Sequence, residues 1–352
     1  MNIKHSLVDS AIFLCRITRI YRILCPFYRG SGVILAMHRV LPSSKRPRIG
    51  ANSRIEVTPD FLQEMILFFR HIGYEIISLD DMHQRITSND KGKRPFVCFT
   101  FDDGYSDIIE HALPIFERHN VPFAVYIITS FADQTALLWW YMIEDLILGT
   151  ADNIKFTLNH RHYSIPTSTF EDKEAAYNLI RDILMAIPQD HISQAADAIF
   201  TPYGIDAGDY KSQMLDWKQV MYLAHHPLAT VGAHTLHHYN LKKLPLSQVR
   251  MEIQESKQKI EQRTGVRVMH FAYPFGSREE VGQREFAEVK ACGFKTAVTI
   301  REGTIFPEHR SYMYCLPRIE ITGRYQSITL VDMRRCGAVS LARNGLKRVI
   351  TD

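Results

Sequence analysis

What most constrains this chain is a rhythm. Short apolar runs alternate with amphipathic helical stretches along most of its 352 residues. The runs are "GVILAMH" (32–38), "YEIISL", "FVCFTF", "PFAVYIIT", "ATVGAH", "HFAYPFG", "KTAVTI" and "LPRIEI". Between them lie helical patterns, such as 58–73 with Thr58 as N-cap, Pro59 at the first position and Gly73 at the end. Further helices are expected over 107–120, 246–265 and 284–293. Alternating β and α units with fully apolar strands mean an α/β fold whose parallel sheet is covered by helices. Seven or eight units favour a closed barrel over an open sheet. Residues 131–228 break the rhythm and read as a helical insertion carrying Trp139, Trp140 and Trp217. The chain divides into a basic amphipathic N-terminal helix (1–30), the barrel (31–330) and a C-terminal tail (331–352).

Charge adds a second constraint. The net charge of +4 is too small to argue for nucleic acid, but it is unevenly spread. The first 50 residues hold nine Lys/Arg and one acidic residue, a net of +8, so the remainder carries −4. Over 5–25, Leu7, Leu14, Ile17, Tyr21 and Leu24 fall on one helical arc and Arg16, Arg19 and Arg22 on another. Such a helix suits an anionic membrane surface or packing on the domain. No apolar stretch reaches the 18 residues of a membrane span, and "AIFLC" is too short for a signal peptide. The expected location is the cytoplasm, peripheral to the inner face of the membrane. The six cysteines are scattered, several in strand-like runs, and read as buried thiols.

In a parallel barrel, chemistry sits at the C-terminal ends of the strands. Several polar groups fall there: His38, Asp102 with Asp103, His234, and the Pro-Phe-Gly after Tyr273. Two adjacent carboxylates ending a core strand are costly unless a positive group lies beside them. "HTLHH" (234–238) offers that partner through a metal. His234 and His238, four apart, share a face of a helical turn. Two imidazoles and a carboxylate match a catalytic zinc site with an open position for water.

These residues carry a family resemblance. The chain resembles the NodB-homology polysaccharide deacetylases, carbohydrate esterase family four, in T-F-D-D-G (Thr100–Gly104), H-[ST]-x-x-H (His234–His238) and P-[FY]-G (Pro274–Gly276). The resemblance covers roughly 95–130 and 228–300 and implies a distorted (β/α)7 barrel. It implies that Asp103, His234 and His238 bind Zn2+ or another divalent transition metal, and that Asp102 is the general base. The backbone N–H of Phe275 would stabilise the oxyanion, and His237 would point elsewhere.

The chain departs from the family twice. The arginine that orients the base is replaced by Ala272, and Arg318 in "LPRIEI" is the candidate substitute. Tyr273 either lines the site or packs beside the proline. The family's last motif, a strand ending in Leu-x-His with the general acid, is missing after residue 300. The strand ending at His38 supplies the pattern at the other end of the chain, which implies a circularly permuted relative. The expected reaction is metal-dependent removal of an N-acetyl or N-formyl group from a sugar of a glycan or glycan precursor. The alternatives are hydrolysis of small non-sugar amides or ureides, and a non-catalytic glycan-binding relative.

Overall fold

The structure, a computed structural model, describes residues 19, 21–44, 47–88, 94–188, 191–345 and 347–351. Seven parallel strands close a barrel: β1 (Gly32–Met37), β2 (Phe96–Phe101), β3 (Phe123–Ile127), β4 (Ala229–Ala233), β5 (His270–Ala272), β6 (Thr296–Glu302) and β7 (Leu316–Glu320). β2 to β7 follow one another around the ring, and β1 closes it by pairing with both ends of the series. Gly32–Met37 run in register with Phe96–Phe101, and Leu35 lies opposite Ile319. The first strand therefore occupies the place between the last strand and the one leading to Asp102. "YEIISL" contributes only the short strand Glu75–Ile76, paired at the base of β2.

Side chains alternate across the barrel wall with the period of two that strands impose. Val33, Leu35, Val97, Phe99, Phe101, Phe123, Val125, Phe271 and Ile319 face the helices in the large outer core. Ile34, Cys98, Ala124, Tyr126, Ala272, Val298 and Leu316 form the inner cluster. The same parity directs Asp102, His234 and Arg318 toward the lumen, and His38 likewise follows Ile34 and Ala36.

The insertion has its own core, built by the helix Trp139–Gly149, the hairpin Asn153–Leu158/Arg161–Pro166 and the helices Phe170–Ala186 and Ile192–Phe200. Within this insertion, expected to be helical, Asn159 and His160 both take positive φ (49° and 61°) and reverse the chain, as a two-residue hairpin turn requires. Trp217 belongs instead to the barrel side, packing on the outer core.

Both chain ends differ from expectation. A single helix over 5–25 is interrupted at Arg19, whose φ of 54° lies outside the helical region; the described helix is Tyr21–Tyr28. Leu7, Leu14, Arg16 and Ile17 lie outside the described residues. The expected tail holds two helices, Ile328–Arg335 and Ala338–Arg343. Tyr21 donates to Asp332 at 2.8 Å, and Arg22 and Arg335 pair with the same carboxylate, joining the two termini. Cys25, Cys98, Cys315 and Cys336 are buried free thiols. Among the described residues no helix is long and apolar enough to cross a membrane.

The seam between β1 and β2 is tight. A Cβ on Gly32 would stand 2.5 Å from both the ring and the carbonyl oxygen of Phe96. Gly32→Ala should therefore cost about 1–3 kcal/mol, read as a lower urea midpoint at unchanged m-value; an unaltered midpoint would show that the seam has room.

Candidate active site

Two turns of the same kind shape the mouth of the barrel. After β2, Gly104 N–H donates to Asp102 C=O at 3.0 Å around Asp103, whose φ is 75°. After β5, Gly276 N–H donates to Pro274 C=O at 2.6 Å around Phe275, whose φ is 59°. Each is an i→i+2 turn with a left-handed central residue, a rare and strained conformation. Gly276 is required because a Cβ there would stand 2.9 Å from Ile300 N. His238 and Thr235 also take positive φ (61° and 67°). Strain of this kind clusters where the surrounding structure over-determines a functional geometry.

These turns bring Asp103, His234 and His238 together, with one candidate ligand atom from each within 4.8 Å of the others. Asp103 Oδ1 lies 3.4 Å from His234 Nε2 and 3.6 Å from His238 Nε2. Two donors each about 2.1 Å from a tetrahedral ion stand about 3.4 Å apart, so the spacing fits. His234 donates Nδ1–H to Ala272 C=O at 2.7 Å, leaving the Nε2 lone pair for a cation. Asp103 Oδ1 is buried without a hydrogen-bond partner among the described residues. An unpaired buried carboxylate oxygen facing two imidazole nitrogens is a donor set suited to a divalent metal.

Burial pushes His238 down to about 4, so it is neutral at pH 7, as a metal ligand must be. Burial would also lower His234, but contact with Asp103 and the charge of Asp102 raise it. Burial opposes ionisation of Asp103, yet the neighbouring histidines hold it well below the usual carboxylate range. His237 stands apart: its Nδ1 is 2.6 Å from Glu252 Oε1, and its ring stacks on Tyr239.

Asp102 meets a different partner. Arg318, fully buried in the lumen, donates from Nη1 to Oδ1 at 2.7 Å and from Nη2 to Oδ2 at 2.6 Å. Nε donates to Thr299 C=O at 2.9 Å, and Nη1 also reaches Thr100 Oγ1 at 3.1 Å. Burial alone would raise Asp102, but this guanidinium holds it below its ordinary value. The arginine missing at Ala272 thus has a counterpart two strands away in the barrel.

His38, just after β1, lies close enough to act electrostatically on Asp102, Asp103 and His238. Its Nδ1 is buried without a partner among the described residues. Next to it, Arg39 fixes the local chain: Nε pairs with Asp107 at 2.7 Å while the guanidinium covers the rings of Tyr105 and Tyr141. Among the described residues no acceptor takes the Phe275 N–H, and the Phe275 ring packs 4.7 Å from that of His238. Tyr273 corrects the expectation of a site-lining residue. It faces outward, its ring packed on Phe271 and Phe286 and its hydroxyl donating to Tyr314 C=O at 2.9 Å.

Sequence reasoning missed how the insertion holds the Asp103 turn. Leu215 N–H donates to Gly104 C=O, Ser106 N–H to Gln213 C=O, and Ser106 Oγ to Ser212 C=O. Trp140 Nε1 donates to Tyr105 Oη at 3.0 Å, setting its indole 6.2 Å from the His238 ring. Trp139 and Trp140 thereby line a recess of about 90 Å³ with Phe131, Leu137, His238 and Phe275.

Replacing Arg318 by Met leaves the Asp102 charge buried and unpaired, and should cost about 3–5 kcal/mol in urea unfolding. Adding Asp102→Asn should restore much of the loss. The folded-state value of Asp102 is depressed, so the pair's stabilisation is complete above the unfolded carboxylate value of about 3.9. It is lost as pH falls through the lower folded value, so the gap between wild type and Arg318→Met should narrow in acid. Equal stability of the two proteins at pH 7 would contradict this account.

A sequence model described as polysaccharide deacetylase matches residues 89–297. A search of curated protein sequences returns no match. Among solved structures, the chain is similar to the Streptococcus pyogenes deacetylase PplD in complex with acetate, with 16% identity and a TM-score of 0.57 over 86% of this chain and 97% of that one. It is also similar to a de-N-acetylase from Aggregatibacter actinomycetemcomitans (12%, 0.55, covering 86% and 98%) and to IcaB from Ammonifex degensii (16%, 0.53, covering 87% and 98%). At these identities the likeness is one of fold. The family match spans more than half of the sequence and contains both aspartates and both ligand-set histidines, and by it this chain belongs to the polysaccharide deacetylase family.

Proposed function

We propose that this protein hydrolyses an N-acetyl or N-formyl group from an amino sugar of a glycan or glycan precursor, using one divalent metal. The observation that carries the reading is the orphaned Asp103 Oδ1 facing His234 and His238 beside a second, arginine-held carboxylate. Asp103, His234 and His238 would hold the ion; bound there, Zn2+ or a similar cation acidifies water and polarises a carbonyl.

The chain's own groups divide the remaining work. Asp102 accepts the proton of the attacking water, its carboxylate kept ionised and oriented by Arg318. The free Phe275 N–H donates to the developing oxyanion. His38 protonates the departing amine, which cannot leave as an anion. The contact between Arg318 and Asp102 supports the catalytic reading, because it offers Asp102 the guanidinium that Ala272 cannot.

His238→Ala should lose the bound divalent ion and His237→Ala should keep it, read by metal analysis of purified protein. With metal retained, Asp102→Asn should lower kcat for acetate release by about 10²-fold or more, and His38→Ala by about 10²–10⁴-fold. A His38→Ala enzyme with unchanged turnover removes His38 from this mechanism.

The partner surface we propose is an anionic lipid layer. On the helix Tyr21–Tyr28, Ile23 is 71% and Phe27 67% exposed, one turn apart, with exposed Arg22 and Arg29 beside them. Apolar side chains flanked by arginines suit insertion at a headgroup boundary. Ile23→Asp with Phe27→Asp should reduce co-sedimentation with vesicles containing phosphatidylglycerol. Undiminished binding would exclude this helix as the contact.

A further inference from the structure

Two thiols meet where the ends of the chain are joined. Cys25, on the helix Tyr21–Tyr28, packs with Tyr21, Met333, Cys336 and Val339 in a small core of its own. Cys336 directly follows the helix Ile328–Arg335, so two cysteines 311 positions apart in sequence are neighbours in space. Their backbones are close as well. A Cβ on Gly337, whose φ is 75°, would stand 2.4 Å from the carbonyl oxygen of Tyr28. A disulfide needs Cα atoms less than about 7 Å apart, which calls for backbones packed this closely.

The surroundings favour a reactive thiolate at Cys25. Arg335 donates from Nη1 to Cys25 Sγ at 3.3 Å. The same guanidinium is anchored to Asp332 through Nε at 2.8 Å and to Tyr74 Oη at 3.3 Å, which fixes its position. The Cys336 thiol is near enough to donate to Cys25. That contact, with the charges of Arg335 and Arg29, brings Cys25 down to about 6 against the effect of burial, while Cys336 is pushed up and keeps its proton. The thiolate is the reacting form of cysteine, and a second thiol beside it carries its oxidation on to a disulfide. Cys25 is 8% exposed and Cys336 is sealed, so a small oxidant meets Cys25 first. Burial raises Cys98 and Cys292 instead, and Cys315 donates to the carbonyls of Tyr312 and Thr351.

We propose that Cys25 and Cys336 form a peroxide-oxidisable dithiol whose disulfide ties the N-terminal helix to the C-terminal helices. The oxidant is hydrogen peroxide or an organic hydroperoxide. The Cys25 thiolate attacks one peroxide oxygen; the S–O bond forms, the O–O bond breaks and hydroxide leaves, which gives a sulfenic acid. Cys336 sulfur then attacks Cys25 sulfur; the S–S bond forms, the S–O bond breaks, and water departs with the Cys336 proton. Two electrons pass from the two thiols to the peroxide, and an external dithiol returns them. The bond holds the helix bearing Ile23 and Phe27 against the barrel. This inference is independent of the deacetylase reading, because the helix enters β1 at its N-terminal end, away from the mouth that holds Asp103.

The test uses the full chain, reduced and then freed of reductant. It is exposed to hydrogen peroxide at pH 7, quenched with N-ethylmaleimide and mapped by mass spectrometry without reduction. A Cys25–Cys336 linkage should appear, and dithiothreitol should remove it. Cys336→Ser should stop at a Cys25 sulfenic acid that dimedone traps, and Cys25→Ser should leave Cys336 reduced. The bridged protein should unfold about 5 °C or more above the reduced one, because the bridge constrains the unfolded chain. The proposal is overturned if both thiols stay reduced while free glutathione under the same conditions is oxidised. It is equally overturned if Cys25 pairs with Cys15 or Cys292. The wild-type map decides the matter even where a variant fails to fold.

Discussion

The buried pair of Arg318 and Asp102 is the interaction on which the site depends. Taking two charges out of water costs several kcal/mol per ion, and only excellent geometry offsets it. Here both carboxylate oxygens are matched by guanidinium nitrogens, and the remaining donors reach Thr299 and Thr100. The arrangement requires β7 and β2 to flank β1, with Arg318 and the residue after β2 turned to the same side of the wall. It also keeps the two adjacent aspartates distinct. Asp102 is turned inward and held by a fixed cation, while Asp103, at the crest of its turn, faces the two histidines. Like charges next to each other in sequence are thereby given separate counter-charges.

Around that pair, the insertion acts as a clamp as well as a wall. Its residues 212–215 bond directly to the loop after β2, and Arg39 joins the same loop through Asp107 while reaching Gln213 with Nη1 at 2.8 Å. The residue after His38 and the residues after Asp103 thus share one network. A displacement of the insertion would be felt at both, which couples the aromatic recess to His38 and to the Asp103, His234 and His238 cluster.

The strand–helix rhythm made the barrel legible, because each βα unit carries its own local pattern. The cluster of Asp103, His234 and His238 was legible from two short motifs that begin just after β2 and β4, and Arg318 as the candidate for the arginine that Ala272 replaces. Parity separates the residues read well from the one read badly. Ala272 faces the lumen, so Tyr273 must face the helices beside Phe271, and a strict count of two would have said so. The clamp was not legible. Tyr105 and Trp140 lie 35 positions apart and Ser106 and Ser212 106 apart, and nothing local in either segment announces the other. Of the expected helix over 5–25, the described part is Tyr21–Tyr28, and Arg19 before it lies outside the helical region.

The place of β1 in the ring has a consequence for how the protein is made. This strand leaves the ribosome first, yet one of its two neighbours is nearly the last to emerge: Leu35 and Ile319, paired across the ring, are 284 positions apart. β1 and β2 can pair early, but until β7 arrives the nascent sheet keeps two apolar edges open to other chains. Long-range closure of this kind is slow because the loop entropy is lost before the contacts form. Arg318 lies on that last strand. A chain stalled before it would carry Asp103, His234 and His238 on an unclosed sheet, with Asp102 lacking its counter-charge. Ring closure and completion of the charge pair are then a single late event, and an incomplete chain cannot present the finished site.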